Sequence, residues 1–333
     1  MIIPVNLGKN SYDIVVERGS LTKAADLLNL NRKVLVVTDS GVPSEYAATV
    51  AEQCGDATVV TIPQGEESKC FDIYRDLLKR LLEKGFTRTD CVVAVGGGVV
   101  GDLAGFVAAS FMRGIDFYNI PTTLLSQIDS SIGGKVAIDF EGIKNIVGAF
   151  YQPKKVVIDP QVLSTLPQRQ ISNGLAEAIK MSVTSDRELF ELLENEDIWE
   201  NIDTVIVKSL NIKKDVVEQD EKEKGLRKIL NFGHTIGHGI ESAGALKELY
   251  HGECVALGML PMCGENVKNR LENVLKKAGL PTDAVYDKDK VCVAMLHDKK
   301  MDGKKIIVIK SDEIGSFIME AMSVENLEKL IKD

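Results

Sequence analysis

Short apolar runs rich in valine and isoleucine recur through the first half of the chain, and they constrain its fold more than any other feature. Helical patterns separate these runs, and the clearest of them covers residues 68–85. Alternation of strands and helices is typical of a parallel β-sheet with helices on both faces. The predicted strands lie at residues 33–40, 57–63, 91–98, 116–122 and 154–160. The predicted apolar face of the helix comprises Phe71, Leu77, Leu78, Leu81 and Leu82.

The pattern changes after Leu166 and Pro167. Helical periodicity dominates the second half, and strand-like runs nearly disappear apart from residues 304–310. A chain of 333 residues is also too long for one ordinary core and suits two domains. We therefore predict an α/β N-terminal domain with a Rossmann-like parallel sheet over residues 1–166, followed by a mainly α-helical C-terminal domain over residues 167–333.

Composition excludes several classes of protein. The formal net charge of −9 argues against nucleic acid as a partner, although a small anion could still bind in a locally basic pocket. No apolar run approaches the roughly 20 residues of a membrane-spanning helix, and the N-terminal residues do not resemble a signal peptide. The six cysteines show no CxxC spacing, so we expect free thiols in a reducing cytoplasm.

A glycine-rich turn ends the predicted strand at residues 91–98. Residues 96–101 satisfy the pattern GxGxxG and open a predicted helix. Such a turn lets backbone N–H groups and a helix N-terminus approach a pyrophosphate. A tight strand-to-helix turn without a ligand is an equal alternative. Asp39 ends an earlier strand and could bind the ribose of adenosine, but helix N-caps use the same residue type.

A group of polar and basic residues is spread among apolar and glycine residues in the following segment. Within it, Gly133-Gly134-Lys135 superficially resembles a phosphate loop, but Val136 stands where the pattern GxxxxGK[ST] requires Ser or Thr, so we exclude an NTPase. Single basic residues in such surroundings suit one small anion better than a nucleic-acid surface. The group comprises Asp102, Arg113, Thr122, Thr123, Asp129, Lys135, Lys144 and Asn145.

Three of the four histidines fall within residues 227–253. Read as one helix, five polar residues of this stretch step by four, three, four and three positions, which places them on one face. Interspersed glycines lower the helix propensity but let another backbone or a ligand approach closely. A solvated polar face is the alternative, but such faces consist mostly of Lys and Glu, so we favour a buried polar site. The five residues are Arg227, Asn231, His234, His238 and Glu241.

Glu177 is a lone carboxylate on an otherwise apolar helical pattern. A buried carboxylate is costly unless it is paired. One Glu and two His form a recognised zinc site that leaves a coordination position open for substrate. Spacing alone does not decide which two of His234, His238 and His251 would complete the set, and the simplest choice would be the first two, four residues apart.

Six motifs, in order between about Pro63 and Asp302, together resemble the 3-dehydroquinate synthase family. They are GGGVVGDLAGFVA, PTTLLSQIDSSIGGKVAID, GIKNIVGAFYQP, GLAEAIK, RKILNFGHTIGHGIE and HGECVALGM. The resemblance implies a cytoplasmic lyase of the shikimate pathway, usually a homodimer. It also implies a dehydroquinate synthase-like fold, in which an NAD-binding domain precedes a helical metal- and substrate-binding domain and the active site lies between them.

The resemblance also assigns roles to individual residues. The implied ligands of a zinc or cobalt ion are Glu177, His234 and His251, so the simplest histidine pairing is not the one implied. The implied substrate contacts are Asp129, Lys135, Asn145, Lys180, Lys213, Arg227, Asn231 and His238, with Arg113 near the phosphate, Lys144 alongside, and either Lys299 or Lys300. The implied NAD contacts are Asp39, Glu66, Lys69, Gly97, Gly98, Asp102, Thr122, Thr123 and Thr165, with Lys135 and Lys144 on the border of both sites.

The implied reaction converts 3-deoxy-D-arabino-heptulosonate 7-phosphate to 3-dehydroquinate and phosphate. NAD oxidises the C5 hydroxyl beside the metal, phosphate leaves by β-elimination, the hydride returns, and an intramolecular aldol reaction closes the ring. Positioning and electrostatics account for most of the protein's share. Three alternatives are another sugar phosphate cyclase, a metal-dependent polyol dehydrogenase of the same fold, and a catalytically silent binding protein. A polyol dehydrogenase would not need the cluster Lys135, Lys144, Lys213 and Arg227.

Overall fold

The computed structural model describes residues 1–243, 249–297, 301–302 and 305–332. Contacts within the chain divide it into two compact units, Met1–Pro167 and Gln168–Asp333. The boundary between these units lies one residue from the predicted division between residues 166 and 167.

The first unit alternates strands and helices. Its strands are β1 (Ile2–Val5), β2 (Tyr12–Val16), β3 (Lys33–Asp39), β4 (Asp56–Ile62), β5 (Cys91–Gly96), β6 (Asp116–Pro121), β7 (Lys135–Phe140), β8 (Ile143–Phe150) and β9 (Lys155–Ile158). Its helices are α1 (Ala24–Leu27), α2 (Ser44–Ala51), α3 (Phe71–Glu83) and α4 (Gly98–Ser110). Short 3₁₀ or π-helical turns cover Gly8–Asn10, Ser20–Lys23, Glu66–Ser68, Phe111–Arg113, Ser126–Ser130 and Pro160–Thr165.

A seven-stranded sheet with the order β1-β2-β9-β6-β5-β3-β4 forms the centre of this unit. All five predicted strands are present and pair in parallel. Alternate residues of β3 point into opposite cores. Leu35 and Val37 pack with α3 and α4, whereas Val34 and Val36 pack with α1 and α2. The prediction of a parallel sheet covered on both faces is therefore confirmed for these strands.

Two parts of the sheet structure were not predicted. Strand β1 pairs with β2 in the antiparallel direction, so the sheet is mixed rather than purely parallel. Strands β7 and β8 form a separate antiparallel hairpin. Residues of β8 are mostly exposed and include Lys144 and Asn145, so this strand lacks the continuous apolar run that marked the buried strands. The predicted apolar face of α3 is also partly wrong, because Leu77 and Leu81 are buried but Leu82 is 67% exposed.

The second unit is mainly helical, as predicted. Its helices are α5 (Gln168–Ser185), α6 (Arg187–Asn195), α7 (Ile202–Gln219), α8 (His234–Ser242), α9 (His251–Met259), α10 (Glu265–Lys277), α11 (Lys288–His297) and α12 (Val324–Lys332). Turns of 3₁₀ helix cover Leu226–Asn231 and Leu260–Met262. Strands β10 (Met301–Asp302), β11 (Lys305–Lys310) and β12 (Ile318–Ser323) form an antiparallel sheet. Among the described residues, no helix has the length and apolar character needed to cross a membrane.

The prediction of one continuous helix over residues 227–241 is wrong. The chain forms a 3₁₀ segment up to Asn231, then turns at Gly233, whose φ of 76° lies in the left-handed region that favours glycine. Helix α8 begins only at His234. A Cβ atom at Gly233 would lie 2.5 Å from Cγ of Met259 and 2.8 Å from the carbonyl oxygen of Val255, so this glycine also lets α9 approach closely. The predicted close approach of a second backbone is thereby confirmed.

Candidate active site

Three helices of the second unit bring together a carboxylate and three imidazoles. Helix α8 carries His234 and His238 one turn apart, His251 begins α9, and Glu177 lies within α5. One ring nitrogen from each of the three histidines lies within 4.8 Å of the others. The ring centroids of His234 and His251 are 5.2 Å apart, and that of His238 lies 5.0 and 5.7 Å from them. Spacing within one helix could not have shown that His251 joins this cluster.

Glu177 faces this cluster from the protein interior. Its Oε1 atom is buried and accepts no hydrogen bond from any described residue. Instead, Nε2 of His234 lies 3.6 Å from Oε1, and Nε2 of His251 lies 3.7 Å from it. These distances are too long for hydrogen bonds. Two ligand atoms of one tetrahedral zinc ion lie about 3.4 Å apart, because each is about 2.1 Å from the metal. The three side chains therefore fit one divalent metal ion.

The outer nitrogens of two imidazoles lie beside oxygen atoms that can orient the rings. Nδ1 of His234 is 3.2 Å from the carbonyl oxygen of Phe232, and Nδ1 of His251 is 3.3 Å from Oε2 of Glu241. If each Nδ1 carries the proton, each Nε2 is left as a lone-pair donor facing Glu177. Metal-binding histidines are generally held in this way by a second, outer acceptor. The polar stripe predicted that Glu241 shares a face with the histidines of α8, but it did not predict the contact of Glu241 with His251.

Charge compensation at Glu177 is provided by Lys180. The two side chains form an ion pair three residues apart on α5, and both are almost fully buried. Burial alone would raise the pKa of Glu177, but Lys180 and His251 reverse this effect and lower it. Burial would likewise lower the pKa of His251, but the neighbouring carboxylates of Glu177 and Glu241 raise it. The site therefore keeps its carboxylate ionised and stabilises positive charge beside it.

Other predicted substrate contacts of the second unit are buried or half-buried. Lys213 on α7 and Arg227 in the 3₁₀ segment are almost fully buried. Nη1 of Arg227 donates to the carbonyl oxygen of Glu221 at 2.6 Å. Nδ2 of Asn231 donates to Oε1 of Glu223 at 2.8 Å. Of the five residues of the polar stripe, Arg227 and His234 are buried and the other three are half-buried, although the stretch is not one helix. Lys299 and Lys300 lie outside the described residues.

A second polar cluster lies within the first unit. Nζ of buried Lys69 donates to Oδ2 of Asp102 at 2.9 Å and also to Oδ1 of Asn145, and it lies 3.4 Å from Oε1 of Glu66. Burial raises the pKa of Asp102 to about 6, although Lys69 opposes this effect. Burial would lower the pKa of Lys69, but Asp102 and Glu66 raise it. The structure thus joins three predicted NAD contacts with Asn145, a predicted substrate contact on the β7–β8 hairpin.

The glycine-rich turn has the predicted context of strand and helix. Gly96 ends β5, Gly97 precedes α4, and Gly98 begins it. The backbone N–H of Thr122 donates to the carbonyl oxygen of Gly96 at 2.9 Å, so the end of β6 lies beside the turn. The first N–H groups of a helix have no partner within it, so the start of α4 offers donors to an anionic ligand.

The remaining predicted residues of the first unit differ in burial. Asp39 ends β3, where burial raises its pKa and its carboxylate accepts a hydrogen bond from the N–H of Gly41 at 2.7 Å. Thr165 is exposed, and its Oγ1 lies 2.9 Å from the hydroxyl oxygen of Tyr46. Thr123 and Asp129 are half-buried. The basic residues Arg113, Lys135 and Lys144 are exposed.

Comparison with known proteins identifies the family. The family model described as 3-dehydroquinate synthase N-terminal matches residues 59–173, and the one described as 3-dehydroquinate synthase C-terminal matches residues 174–301. A 3-dehydroquinate synthase of Acetivibrio thermocellus is 44% identical over 350 residues, which cover 98% of this chain and 97% of that protein. This chain belongs to the 3-dehydroquinate synthase family. The resemblance inferred from the six motifs is confirmed.

Solved structures of related cyclases share this fold. A 2-deoxy-scyllo-inosose synthase in complex with carbaglucose-6-phosphate, NAD⁺ and Co²⁺ matches with a TM-score of 0.90 and 26% identity, covering 99% of both chains. A 2-epi-5-epi-valiolone synthase from Streptomyces hygroscopicus with NAD⁺ and Zn²⁺ bound matches with a TM-score of 0.87 and 27% identity, covering 96% of both chains. The predicted fold class, an α/β region followed by a helical region as in the 3-dehydroquinate synthase family, is confirmed.

Proposed function

We propose that this chain is a 3-dehydroquinate synthase, which converts 3-deoxy-D-arabino-heptulosonate 7-phosphate to 3-dehydroquinate and phosphate in the shikimate pathway. Identity of 44% along almost the whole chain to a protein of that name carries this proposal. The cluster of Glu177, His234 and His251 supports it, because its oxygen and nitrogen atoms suit one divalent metal. When bound, NAD would take a hydride from the substrate and return it, and zinc or cobalt would polarise a substrate oxygen.

We infer that the first unit binds NAD. The turn at Gly97 and Gly98 would face the pyrophosphate, because the backbone there carries no side chain and α4 begins at Gly98. Asp39 would accept hydrogen bonds from a ribose, and Lys69 would hold Asp102 in place beside the cofactor. Further cofactor contacts are assigned to Glu66, Thr122, Thr123 and Thr165, with Lys135 and Lys144 on the border with the substrate.

The second unit would hold the metal and the anionic substrate. Lys180, Lys213 and Arg227 are buried cations that could bind a carboxylate or a phosphate through charge-assisted hydrogen bonds. Asn231 would bind a hydroxyl group. His238 is the imidazole outside the proposed ligand set, and its proposed role is to exchange a proton with the substrate. In the first unit, Arg113, Asp129, Lys135, Lys144 and Asn145 are the proposed further substrate contacts.

Buried cations favour a synthase over a polyol dehydrogenase of the same fold. A neutral polyol needs only hydroxyl contacts, whereas the buried Lys180, Lys213 and Arg227 suit a substrate that carries anionic groups. A substrate with a carboxylate and a phosphate can be held at both ends through several steps.

We further propose a homodimer that acts in the cytoplasm. The six free cysteines are consistent with a reducing compartment.

Hydride balance tests the proposed reaction. The full chain, a divalent metal and the heptulosonate phosphate are incubated with NAD at a much lower concentration than the substrate. We expect many phosphates released per NAD without growth of NADH absorbance. Accumulation of one NADH per substrate consumed would instead indicate a dehydrogenase. A heptulose 7-phosphate without the carboxylate serves as the second substrate, and preference for it would indicate another sugar phosphate cyclase.

A further inference from the structure

One face of α5 meets the start of α9 residue by residue. Arg169, Asn173 and Glu177 are four residues apart on α5 and therefore lie on one face. They contact three consecutive residues of α9 in the opposite order. Arg169 pairs with Glu253, Asn173 binds the backbone of Gly252, and Glu177 faces His251. The contacts of Arg169 and Asn173 are therefore next to the pair Glu177 and His251, which we assign to the metal.

Arg169 and Glu253 hold the chain on both sides of His251. The guanidinium group donates two hydrogen bonds to the buried carboxylate, at 2.7 and 2.8 Å. Oε2 of Glu253 also accepts a hydrogen bond from the backbone N–H of Tyr250 at 2.8 Å. The guanidinium carbon of Arg169 lies 4.2 Å from the centroid of the Tyr250 ring. The residue before His251 and the second residue after it are thus tied to the same arginine.

Asn173 provides the second link. Its Oδ1 accepts a hydrogen bond from the backbone N–H of Gly252 at 2.6 Å. A Cβ atom at Gly252 would lie 2.8 Å from that Oδ1 and 2.9 Å from Cβ of Ala176, so only glycine allows this approach. The backbone next to His251 therefore lies directly against α5, one helical turn from Glu177.

We propose that Arg169, Asn173 and Glu253 are positioning residues, which set the register of α5 against α9 so that Glu177 and His251 face one metal ion. This inference rests on the metal site of the proposed function. The competing explanation is that these contacts only contribute to folding stability. The two explanations differ because a positioning role changes the affinity and the geometry of a bound metal, whereas a purely structural role changes neither.

Cobalt(II) is the probe, because its visible absorption depends on the number and arrangement of its ligands. We expect Arg169→Met to weaken Co²⁺ binding by the full chain about tenfold or more in competition with a chelator, and to change the absorption spectrum. Arg169→Lys keeps one charge-assisted hydrogen bond and should restore part of the Co²⁺ affinity and part of the wild-type spectrum. Asn173→Ala should weaken binding in the same way, whereas Asn173→Asp keeps an acceptor for the Gly252 N–H and should bind almost normally.

Arg270→Met is the matched control. Arg270 also donates two hydrogen bonds to one glutamate, Glu194, at 2.8 and 2.6 Å, and lies over an aromatic ring, that of Phe190, at 5.0 Å. This pair joins α10 to α6 and involves none of the three histidines. We expect Arg270→Met to lower stability about as much as Arg169→Met and to leave Co²⁺ affinity and spectrum unchanged.

Two outcomes overturn the inference in different ways. Normal Co²⁺ affinity and spectrum in Arg169→Met and Asn173→Ala, with stability lowered as in Arg270→Met, would leave these residues a structural role only. A wild-type chain that does not bind Co²⁺ would overturn the proposed metal site itself and the positioning role with it. If Arg169→Met does not fold, the milder variant Arg169→Lys and the two variants Asn173→Ala and Asn173→Asp decide the question. Their Co²⁺ affinity and absorption spectrum are the readouts.

Discussion

Replacing Lys180 with methionine removes the ammonium group that neutralises Glu177 inside the second unit. The side chains are 2% and 1% exposed, so neither charge can be compensated by water. Removal of one partner from a buried ion pair costs about 3–5 kcal/mol, because the remaining charge is left buried. His234 and His251 lie 3.6 and 3.7 Å from the other carboxylate oxygen and can offset part of this loss. We expect Lys180→Met to lower the free energy of unfolding of metal-free protein by about 3 kcal/mol.

A divalent metal should reduce this loss. A bound cation would lie beside Glu177 and repel the ammonium group of Lys180. Removal of this ammonium group should therefore strengthen metal binding. A ligand that binds only the folded state stabilises it more when it binds more tightly, with the logarithm of its concentration divided by its Kd. With saturating Zn²⁺ the destabilisation by Lys180→Met should therefore fall to less than about half of the value in a chelator. Phosphate release should nevertheless be lost, because Lys180 is a proposed substrate contact.

The single tryptophan of the chain makes the measurement specific to the second unit. Trp199 lies between α6 and α7, so its fluorescence in a urea titration follows the unfolding of that unit. Lys208→Met is the control, because Lys208 pairs with Asp186 and Glu188 at 3.1 and 3.0 Å but is 28% exposed. Exposed pairs contribute about 0–1 kcal/mol, with or without metal. Equal losses for the Lys180 and Lys208 variants, or a Lys180 loss unaffected by Zn²⁺, would refute the reasoning.

Three further predictions concern individual groups. His251→Ala should lose the metal in elemental analysis and keep its helical circular dichroism. His238→Ala should keep the metal, and its rate of phosphate release should fall at least about 100-fold. The reverse result would exchange the two imidazoles in the ligand set. Arg227→Met should weaken binding of the heptulosonate phosphate by a few kcal/mol, because a charge-assisted hydrogen bond to a desolvated anion is lost, and an equal loss of NAD affinity in calorimetry would contradict this. Burial raises the pKa of Asp102 to about 6 in the folded protein. The stability contributed by its protonated carboxyl group is therefore full below about pH 4 and is lost as pH rises through 6. The stability of wild type relative to Asp102→Asn, followed by circular dichroism, should thus fall by up to about 3 kcal/mol from pH 4 to pH 7, and a constant or rising difference would show that Lys69 keeps the carboxylate ionised throughout.

The central strands could be predicted because burial on both faces leaves a direct mark on the sequence. In β3, Val34 and Leu35 enter different cores, so the central positions 34–37 are all apolar. Strands β8 and β12 lack that mark. Most of their residues are exposed, and their pairing depends on a neighbouring strand rather than on their own composition. Local pattern therefore identified the buried centre of the sheet but not the exposed strands β8 and β12.

The polar stripe at residues 227–241 shows how a correct conclusion can rest on a partly wrong element. Equal spacing favoured one helix, but the left-handed turn at Gly233 divides the stretch. Arg227 is nevertheless buried, because the 3₁₀ segment and α8 pack separately into the same unit. Periodicity predicts which residues share a face only while the helix continues, and it holds here from His234 to Glu241.

The proposed set of metal ligands depends on contacts between helices that are distant in sequence. His234 and His238 are neighbours on one helix, yet the short distances to Oε1 of Glu177 come from His234 and His251. No spacing rule connects His251 with a carboxylate 74 residues earlier. The relevant signal lies beside the ligand, in Gly252, because a side chain there would collide with α5. His251, the proposed third ligand, can face Glu177 only because the residue after it lets α5 and α9 touch, so we infer that the packing of these helices determines which imidazole would complete the site.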